Sequence, residues 1–286
     1  MKLTPGYKTC VGCVEPIIVK TVMDVIDNPL IVSLATGCME VSSTKVNENH
    51  WNVPLIHSTF GNSAATISGI ETAFKVLKKK GLKEDFKFLV IAGDGGTYDI
   101  GLQALSGALE RGHNFVYVCL DNGGYMNTGG QRSSSTPYGS KTSTTPEGKI
   151  TFRKDLVEIA KAHGIKYVAQ TSIYDLKDLK MKAKKAFESE GPALINVLSP
   201  CTRFWRFEVF NLKKINDLAV DTCFWPSFEI EDGNYKLNYH PSKKIPLKEF
   251  LDLQGRFKGL TLEEIEIMQK EVDRRWKNLI ADCSRK

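Results

Sequence analysis

Phe88-Leu89-Val90-Ile91-Ala92-Gly93-Asp94-Gly95-Gly96, followed by Phe115-Val116-Tyr117-Val118-Cys119-Leu120-Asp121-Asn122-Gly123-Gly124, is the stretch that decides how this chain folds. Each half is a short apolar run that stops at a cluster of Gly, Asp and Asn. Runs of that kind read as strands buried on both faces, as in parallel sheets. Between them Leu102, Leu105 and Leu109 recur at helical spacing, from about Ile100 to Arg111, so the unit is strand–helix–strand. Two successive strands therefore end in polar, flexible residues at the edge where open α/β sheets bind ligands.

The same alternation extends in both directions. Upstream, the pattern predicts a helix from Pro16 to about Ile26, a buried strand at Leu30–Ala35, and a helix of small residues from Asn62 toward Lys79. Downstream, helices at about Asp155–His163 and Leu176–Glu188 alternate with strands at Tyr167–Gln170 and Ala193–Leu198. The fold class is α/β, a mainly parallel sheet flanked by helices. Residues 127–150 are rich in Ser, Thr and Gly, and a loop of that length is functional or mobile. Residues 202–286 read as helices, with a hairpin signal at Glu231-Asp232-Gly233-Asn234 and no catalytic pattern of their own. We expect an α/β domain over 1–200 and a C-terminal extension over 201–286, packed on that domain or on a partner subunit.

Composition narrows the function. The chain has 286 residues, 42% hydrophobic and 25% charged, enough for a sizeable core. Its net charge of +6 comes largely from lysines such as Lys78-Lys79-Lys80 and those between Lys177 and Lys185, which read as solvated helix faces. No basic segment carries interleaved aromatics, which argues against nucleic acid as a partner. A basic surface suits an acidic electron-carrier protein instead. No apolar run approaches the length of about 18 residues that a membrane span needs, and no apolar leader is visible, so a cytoplasmic location is expected. In that compartment seven cysteines point to metal or redox chemistry rather than to disulfides.

Two constellations carry the chemistry. Asp94, between glycines at a strand end, offers a hard oxygen ligand, and the adjacent glycines let backbone amides approach a phosphate. Asn122, at the next strand end, can supply a second oxygen, and Mg²⁺ on a diphosphate is held by such a small protein set. Taken singly, each turn could be no more than a tight turn; two of them 27 residues apart, each after a buried strand, speak for a site. The second constellation is Cys10-Val11-Gly12-Cys13 with Cys38 and Cys201. Thiolates suit zinc and iron–sulfur equally. Cys38 and Cys201 both follow predicted strands at the edge that bears Asp94, a placement that makes sense for electron transfer and little for structural zinc. Cys119, Cys223 and Cys283 read as buried or incidental thiols. His57 reads as satisfying a neighbouring group, with a cofactor phosphate as the alternative. His113 and His163 fall at predicted helix ends, where they would stabilise the helix dipole.

The run Gly93-Asp94-Gly95-Gly96-Thr97-Tyr98-Asp99-Ile100-Gly101, with Asp121-Asn122, Tyr125-Met126-Asn127-Thr128-Gly129 and Thr136-Pro137-Tyr138-Gly139, closely resembles the β subunits of pyruvate:ferredoxin oxidoreductases. The resemblance spans nearly the whole chain and implies a thiamine-diphosphate-binding fold. It implies oxidative decarboxylation of a 2-oxoacid, pyruvate before others, with coenzyme A taking the acyl group and ferredoxin the electrons. It implies Asp94, Asn122 and the Gly124 carbonyl as Mg²⁺ ligands, and Gly37, Cys38, Gly95, Gly96, Tyr125 and Met126 around thiamine diphosphate. Asn127 is placed beside the reactive end of the cofactor and the substrate. Cys10, Cys13, Cys38 and Cys201 are implied as the ligands of one [4Fe–4S] cluster. An α subunit would supply the glutamate that faces the pyrimidine ring, and γ and δ subunits the further clusters.

Three positions depart from that pattern. Phe60-Gly61-Asn62 stands where the family has FEN, Gly123-Gly124 where it has Glu-Ala, and Arg203 follows the fourth cysteine. A less negative pocket would favour a more anionic substrate, so oxalate stands as an alternative to pyruvate, and branched-chain 2-oxoacids as a third. Two other classes remain: a cluster-free thiamine-dependent decarboxylase, and a zinc-binding subunit without activity.

Overall fold

The computed structural model describes residues 1–45 and 48–285. Its strands are β1 (Leu30–Ala35), β2 (Thr44–Lys45), β3 (Glu48–Asn49), β4 (Leu55–Ser58), β5 (Lys87–Gly93) and β6 (Val116–Asp121), then β7 (Tyr167–Ser172), β8 (Ala193–Leu198), β9 (Phe228–Glu231) and β10 (Asn234–Leu237). The helices are α1 (Glu15–Met23), α2 (Cys38–Ser43), α3 (Ser63–Lys79), α4 (Leu102–Glu110) and α5 (Leu156–Lys161), then α6 (Leu176–Glu188), α7 (Thr202–Trp205), α8 (Leu212–Asp221), α9 (Leu247–Asp252) and α10 (Leu262–Ser284). Strands β2 and β3 form a small separate ladder; the other eight form one sheet in the order β10-β9-β7-β8-β6-β5-β1-β4.

Six of those strands pair in parallel, as their continuous apolar runs require. Alternate residues of each strand feed opposite layers. Leu89 and Ile91 of β5 join α1 and α6 in one core, while Phe88, Val90 and Ala92 join α3, α4 and α5 in the other. The sheet is thus covered by a continuous apolar layer on each face. From β1 the chain moves outward to β4, then returns to β5 on the other side of β1. The switch point of the winding thus lies between β1 and β5, where a crevice forms at the carboxyl ends.

The expected elements appear with small shifts at their ends. α1 stops at Met23, three residues short of Ile26. One turn of π-helix, Gly95–Asp99, precedes α4, a feature that helical spacing alone does not reveal. The hairpin at Glu231–Asn234 forms β9 and β10, and β9 pairs antiparallel with β7, so the C-terminal residues extend the main sheet. His163 bonds the Ile159 carbonyl at the end of α5, as a helix-end histidine should. His113 does not serve a helix end: its Nδ1 stands 3.0 Å from the buried Glu71 carboxylate, a stronger partner than a frayed dipole.

Not all of the α6 lysines are solvated. Lys182 is completely buried, and donates to the Gln170 carbonyl at 2.9 Å, Asp178 Oδ2 at 2.8 Å and Ser227 Oγ at 2.6 Å. Burial pulls its pKa down to about 8, against the raising effect of Asp178. Ser227 belongs to the C-terminal residues, so this ion pair ties them to α6 and β7. Lys182→Met should leave the Asp178 carboxylate without its cation and lower unfolding free energy by about 3 kcal/mol, as read from chemical denaturation.

Candidate active site

Strand geometry delivers the site residues to one place. Gly37 and Cys38 follow β1, Gly93-Asp94 ends β5, Asp121-Asn122 ends β6, and Ser199-Pro200-Cys201 follows β8. Parallel strands all present these ends on one edge of the sheet.

A cavity of about 320 Å³ opens there. Leu34, Ile91 and Leu120 form part of its floor, and Gly37, Cys38, Asp94, Gly95, Gly96, Asn122, Gly124, Tyr125, Met126 and Asn127 all line it. Every residue that the sequence pointed to for cofactor binding is therefore on its wall. Gly95 must lack a side chain, because a Cβ there would lie 2.5 Å from the Tyr125 ring. Phe60, which the sequence did not single out, packs its ring 5.6 Å from that of Tyr125 and lines the same cavity.

Asp94 is fully buried, and its Oδ1 has no hydrogen-bond partner while Oδ2 accepts from Ser133 Oγ. Burial pushes its carboxyl well above the usual range and the neighbouring Asp121 adds to this, against the bond from Ser133. An orphaned buried carboxylate oxygen facing a cavity suits a cation. The Asn122 side chain lies beside it: Oδ1 accepts from the Gly124 N–H at 3.2 Å and Nδ2 donates to Glu15 Oε1 at 3.4 Å. The donor set, one carboxylate and neutral oxygens, fits Mg²⁺ on a diphosphate.

The four expected cysteines also converge. Cys10, Cys13, Cys38 and Cys201 line one cavity of about 220 Å³. Burial pushes the Cys13 and Cys38 thiols up, with the Glu15 charge adding to it, and burial raises Cys201 as well. Among the described residues no three His, Cys, Asp or Glu groups stand close enough to hold a single metal ion. Four cysteines around one cavity are the number that either a tetrahedral zinc or a [4Fe–4S] cluster takes. Glu15, Cys38, Asn122 and Asn127 line both cavities, which therefore share a wall.

The Ser/Thr-rich loop is packed against this edge, and its run Ser133–Thr136 holds the site from behind. Ser133 bonds Asp94, and the Ser134 N–H donates to Asp99 Oδ2 at 3.0 Å. Ser135 Oγ donates to both oxygens of Asp121 at 2.6 and 2.7 Å, and Thr136 Oγ1 to the Gly123 carbonyl at 2.6 Å. Tyr98 also donates to Asp121, at 2.7 Å. Glu15 is the other residue that the sequence reading missed. It follows the CxxC and precedes Pro16 in the first turn of α1, where an acidic residue passes for a helix-start signal. Burial pushes its carboxyl up to about 7.

Other expectations resolve differently. His57 bonds Thr36 Oγ1 at 2.7 Å, a neighbouring group. Gly61, Gly123 and Arg203 are not among the residues that line either cavity, whereas Gly124 lines the first, and Arg203 is exposed. Cys119 and Cys223 are buried, and Cys283 is half-buried, all away from the four. A larger cavity of about 420 Å³, lined by Phe228, Val272 and Leu279 among others, holds none of the expected site residues. No helix among the described residues is long and apolar enough to cross a membrane.

Comparison with known proteins shows the family and the fold. The model of the thiamine pyrophosphate enzyme C-terminal TPP binding domain matches residues 35–197. The chain is 47% identical to the pyruvate synthase subunit PorB of Thermotoga maritima over 97% of its own length and 91% of the relative's. It is also 47% identical to the PorB subunit of Methanocaldococcus jannaschii, covering 96% and 95%. With the ketoisovalerate oxidoreductase subunit VorB of Pyrococcus abyssi it shares 43% identity, covering 96% and 91%. Among solved structures, a chain of the 2-oxoglutarate:ferredoxin oxidoreductase from Magnetococcus marinus has the same fold, with a TM-score of 0.65, 21% identity and coverage of 100% and 95%.

Gly101 is the tightest point of the site's scaffold: a Cβ there would lie 1.9 Å from the Gly96 carbonyl oxygen. Gly101→Ala is expected to break the π-turn after Asp94 and cost about 3 kcal/mol in chemical unfolding. Gly69→Ala, with nothing within 4 Å of the added carbon, should be neutral or stabilising in the same assay.

Proposed function

The chain belongs to the family of pyruvate synthase PorB subunits and to the thiamine pyrophosphate enzymes, and from that premise we propose how it works within a 2-oxoacid:ferredoxin oxidoreductase. In this reading it holds thiamine diphosphate through Mg²⁺, with Asp94, Asn122 and the Gly124 carbonyl as the protein's ligands to the metal. Cys10, Cys13, Cys38 and Cys201 hold one [4Fe–4S] cluster, and pyruvate is the substrate. The observation that carries the reading is the shared wall: four residues line both the cavity of Asp94 and the cavity of the cysteines.

When bound, thiamine diphosphate supplies the carbanion chemistry of decarboxylation and the cluster accepts electrons singly. The chain's own residues orient and separate. Gly95 and Gly96 leave room for phosphate against the backbone, and Phe60 with Tyr125 walls one side of the cavity. Tyr125 is fixed in turn by its hydroxyl, which donates to Asp99 Oδ2 at 2.9 Å. Asn127 is exposed on the common wall, where its amide can meet the substrate carboxylate. Cys38 lies on both cavities, which keeps the path for electrons short.

Partner subunits complete the enzyme. An α subunit supplies the glutamate for the pyrimidine ring, γ and δ subunits carry further clusters toward ferredoxin, and coenzyme A receives the acyl group; the cytoplasm is the expected site of action. A second substrate, 2-ketoisovalerate, is favoured by the likeness to the VorB subunit.

The test is anaerobic purification of the assembled enzyme. Thiamine, magnesium and iron should co-purify, and pyruvate should reduce a viologen in a coenzyme-A-dependent way. Faster turnover of 2-ketoisovalerate, or oxidation of oxalate without coenzyme A, would overturn the substrate. Asp94→Asn should weaken Mg²⁺-dependent thiamine diphosphate binding by at least about tenfold, and Cys201→Ser should lower the iron content while leaving thiamine bound.

A further inference from the structure

Arg256 lies in the short turn Gly255–Phe257 of the C-terminal extension and is completely buried. Its Nε donates to Gln254 Oε1 at 2.9 Å, but Nη1 and Nη2 have no hydrogen-bond partner. The guanidinium sits 3.9 Å from the centre of the Trp205 ring, with Phe257 at 4.8 Å and Phe204 at 5.6 Å. Aromatic faces offset only part of the cost of burying a cation, so negative charge is called for nearby. Burial opposes its charge, while Asp121, Cys201 and Asp94, in that order, favour it.

What Arg256 stacks on is bonded to the wall that the two cavities share. Trp205 closes α7, whose N-cap is Cys201, and its backbone N–H donates to the Cys201 carbonyl at 2.8 Å. Its indole Nε1 donates to the Asn122 carbonyl at 2.7 Å. Arg256 Nη1 reaches the same turn, at 3.2 Å from where a Cβ on Gly123 would stand. One stacked pair therefore touches the Asn122–Gly124 turn directly and Cys201 through a single helical turn.

We propose that Arg256, stacked on Trp205, is a positioning residue that holds the Asn122–Gly124 turn and Cys201 in register and gives the cluster on Cys201 a fixed positive charge. This rests on the reading that those residues hold Mg²⁺–thiamine diphosphate and an iron–sulfur cluster. Reduction makes a cluster more negative, and its potential depends on net charge and on the dipoles around it. A neighbouring guanidinium, with its positive charge delocalised over the planar group, raises that potential. The C-terminal extension then has a part in the chemistry although it supplies no ligand.

The experiment uses the anaerobically assembled enzyme, with the cluster of this chain identified as the electron paramagnetic resonance signal lost in Cys201→Ser. Arg256→Met should lower the midpoint potential of that signal at unchanged iron content, and Arg256→Lys, which keeps the charge, should stay near the wild type. Trp205→Phe, which removes the bond to the Asn122 carbonyl, should weaken thiamine diphosphate binding about fivefold. An unmoved potential in Arg256→Met, or a lysine variant as low as the methionine one, overturns the role in potential. Should Arg256→Met fail to assemble, wild-type thiamine affinity in Trp205→Phe overturns the proposal. A wild-type enzyme without iron or thiamine would sink the cofactor reading itself, whereas a loaded wild type with unshifted variants sinks only the role of Arg256.

Discussion

Two carboxylates, Asp94 and Asp121, are buried at the ends of neighbouring parallel strands, and much of the structure answers to that constraint. Like charges out of water oppose each other's ionisation, so each needs donors or a cation. Asp121 is met by Ser135, Tyr98 and the Gly123 N–H, and Tyr98 is held in turn by Asn196 Nδ2 at 2.8 Å. Asp94 is met on one oxygen only, by Ser133, and its other oxygen faces the cavity without a partner. The two carboxylates differ in this way: Asp121 is spent within the protein, braced against the turn that follows it, and Asp94 keeps one oxygen free of protein donors.

The same constraint explains the loop over residues 127–150. Four consecutive hydroxyl residues, Ser133 to Thr136, reach Asp94, Asp99, Asp121 and the Gly123 carbonyl in sequence order. Hydroxyls supply donors without adding charge, which suits a place that already holds too much of it. A loop so bonded acts as the rear wall of the site. Glu15 plays a related part on the other side, where its carboxylate meets the Asn122 amide on the wall between the two cavities.

Much of this was legible in the sequence. Leu30–Ala35, Leu176–Glu188 and Ala193–Leu198 fold over the bounds that their patterns imply, because a buried strand or an amphipathic helix announces itself by its period. The glycine-flanked Asp94 and the spaced cysteines stood out as pairs of signals at predicted strand ends, and the structure brings them onto two adjoining cavities. Lys182, Glu15 and Arg256 were not. Each is a charged residue whose local sequence looks like a solvated face, a helix start or a plain turn, and each is buried only because distant segments close over it.

By itself the sequence determined the mainly parallel sheet and the residues at the carboxyl ends of its strands, since strand–helix alternation and residue type can be read along the chain. Only the tertiary structure decided that the cavity of Asp94 and the cavity of the four cysteines share one wall, and that the C-terminal extension bonds that wall through Trp205. The physical reason is distance along the chain. Cys13, Cys38, Asn122, Cys201 and Arg256 meet through strand order and packing, and no periodicity in the sequence encodes which strand lies beside which.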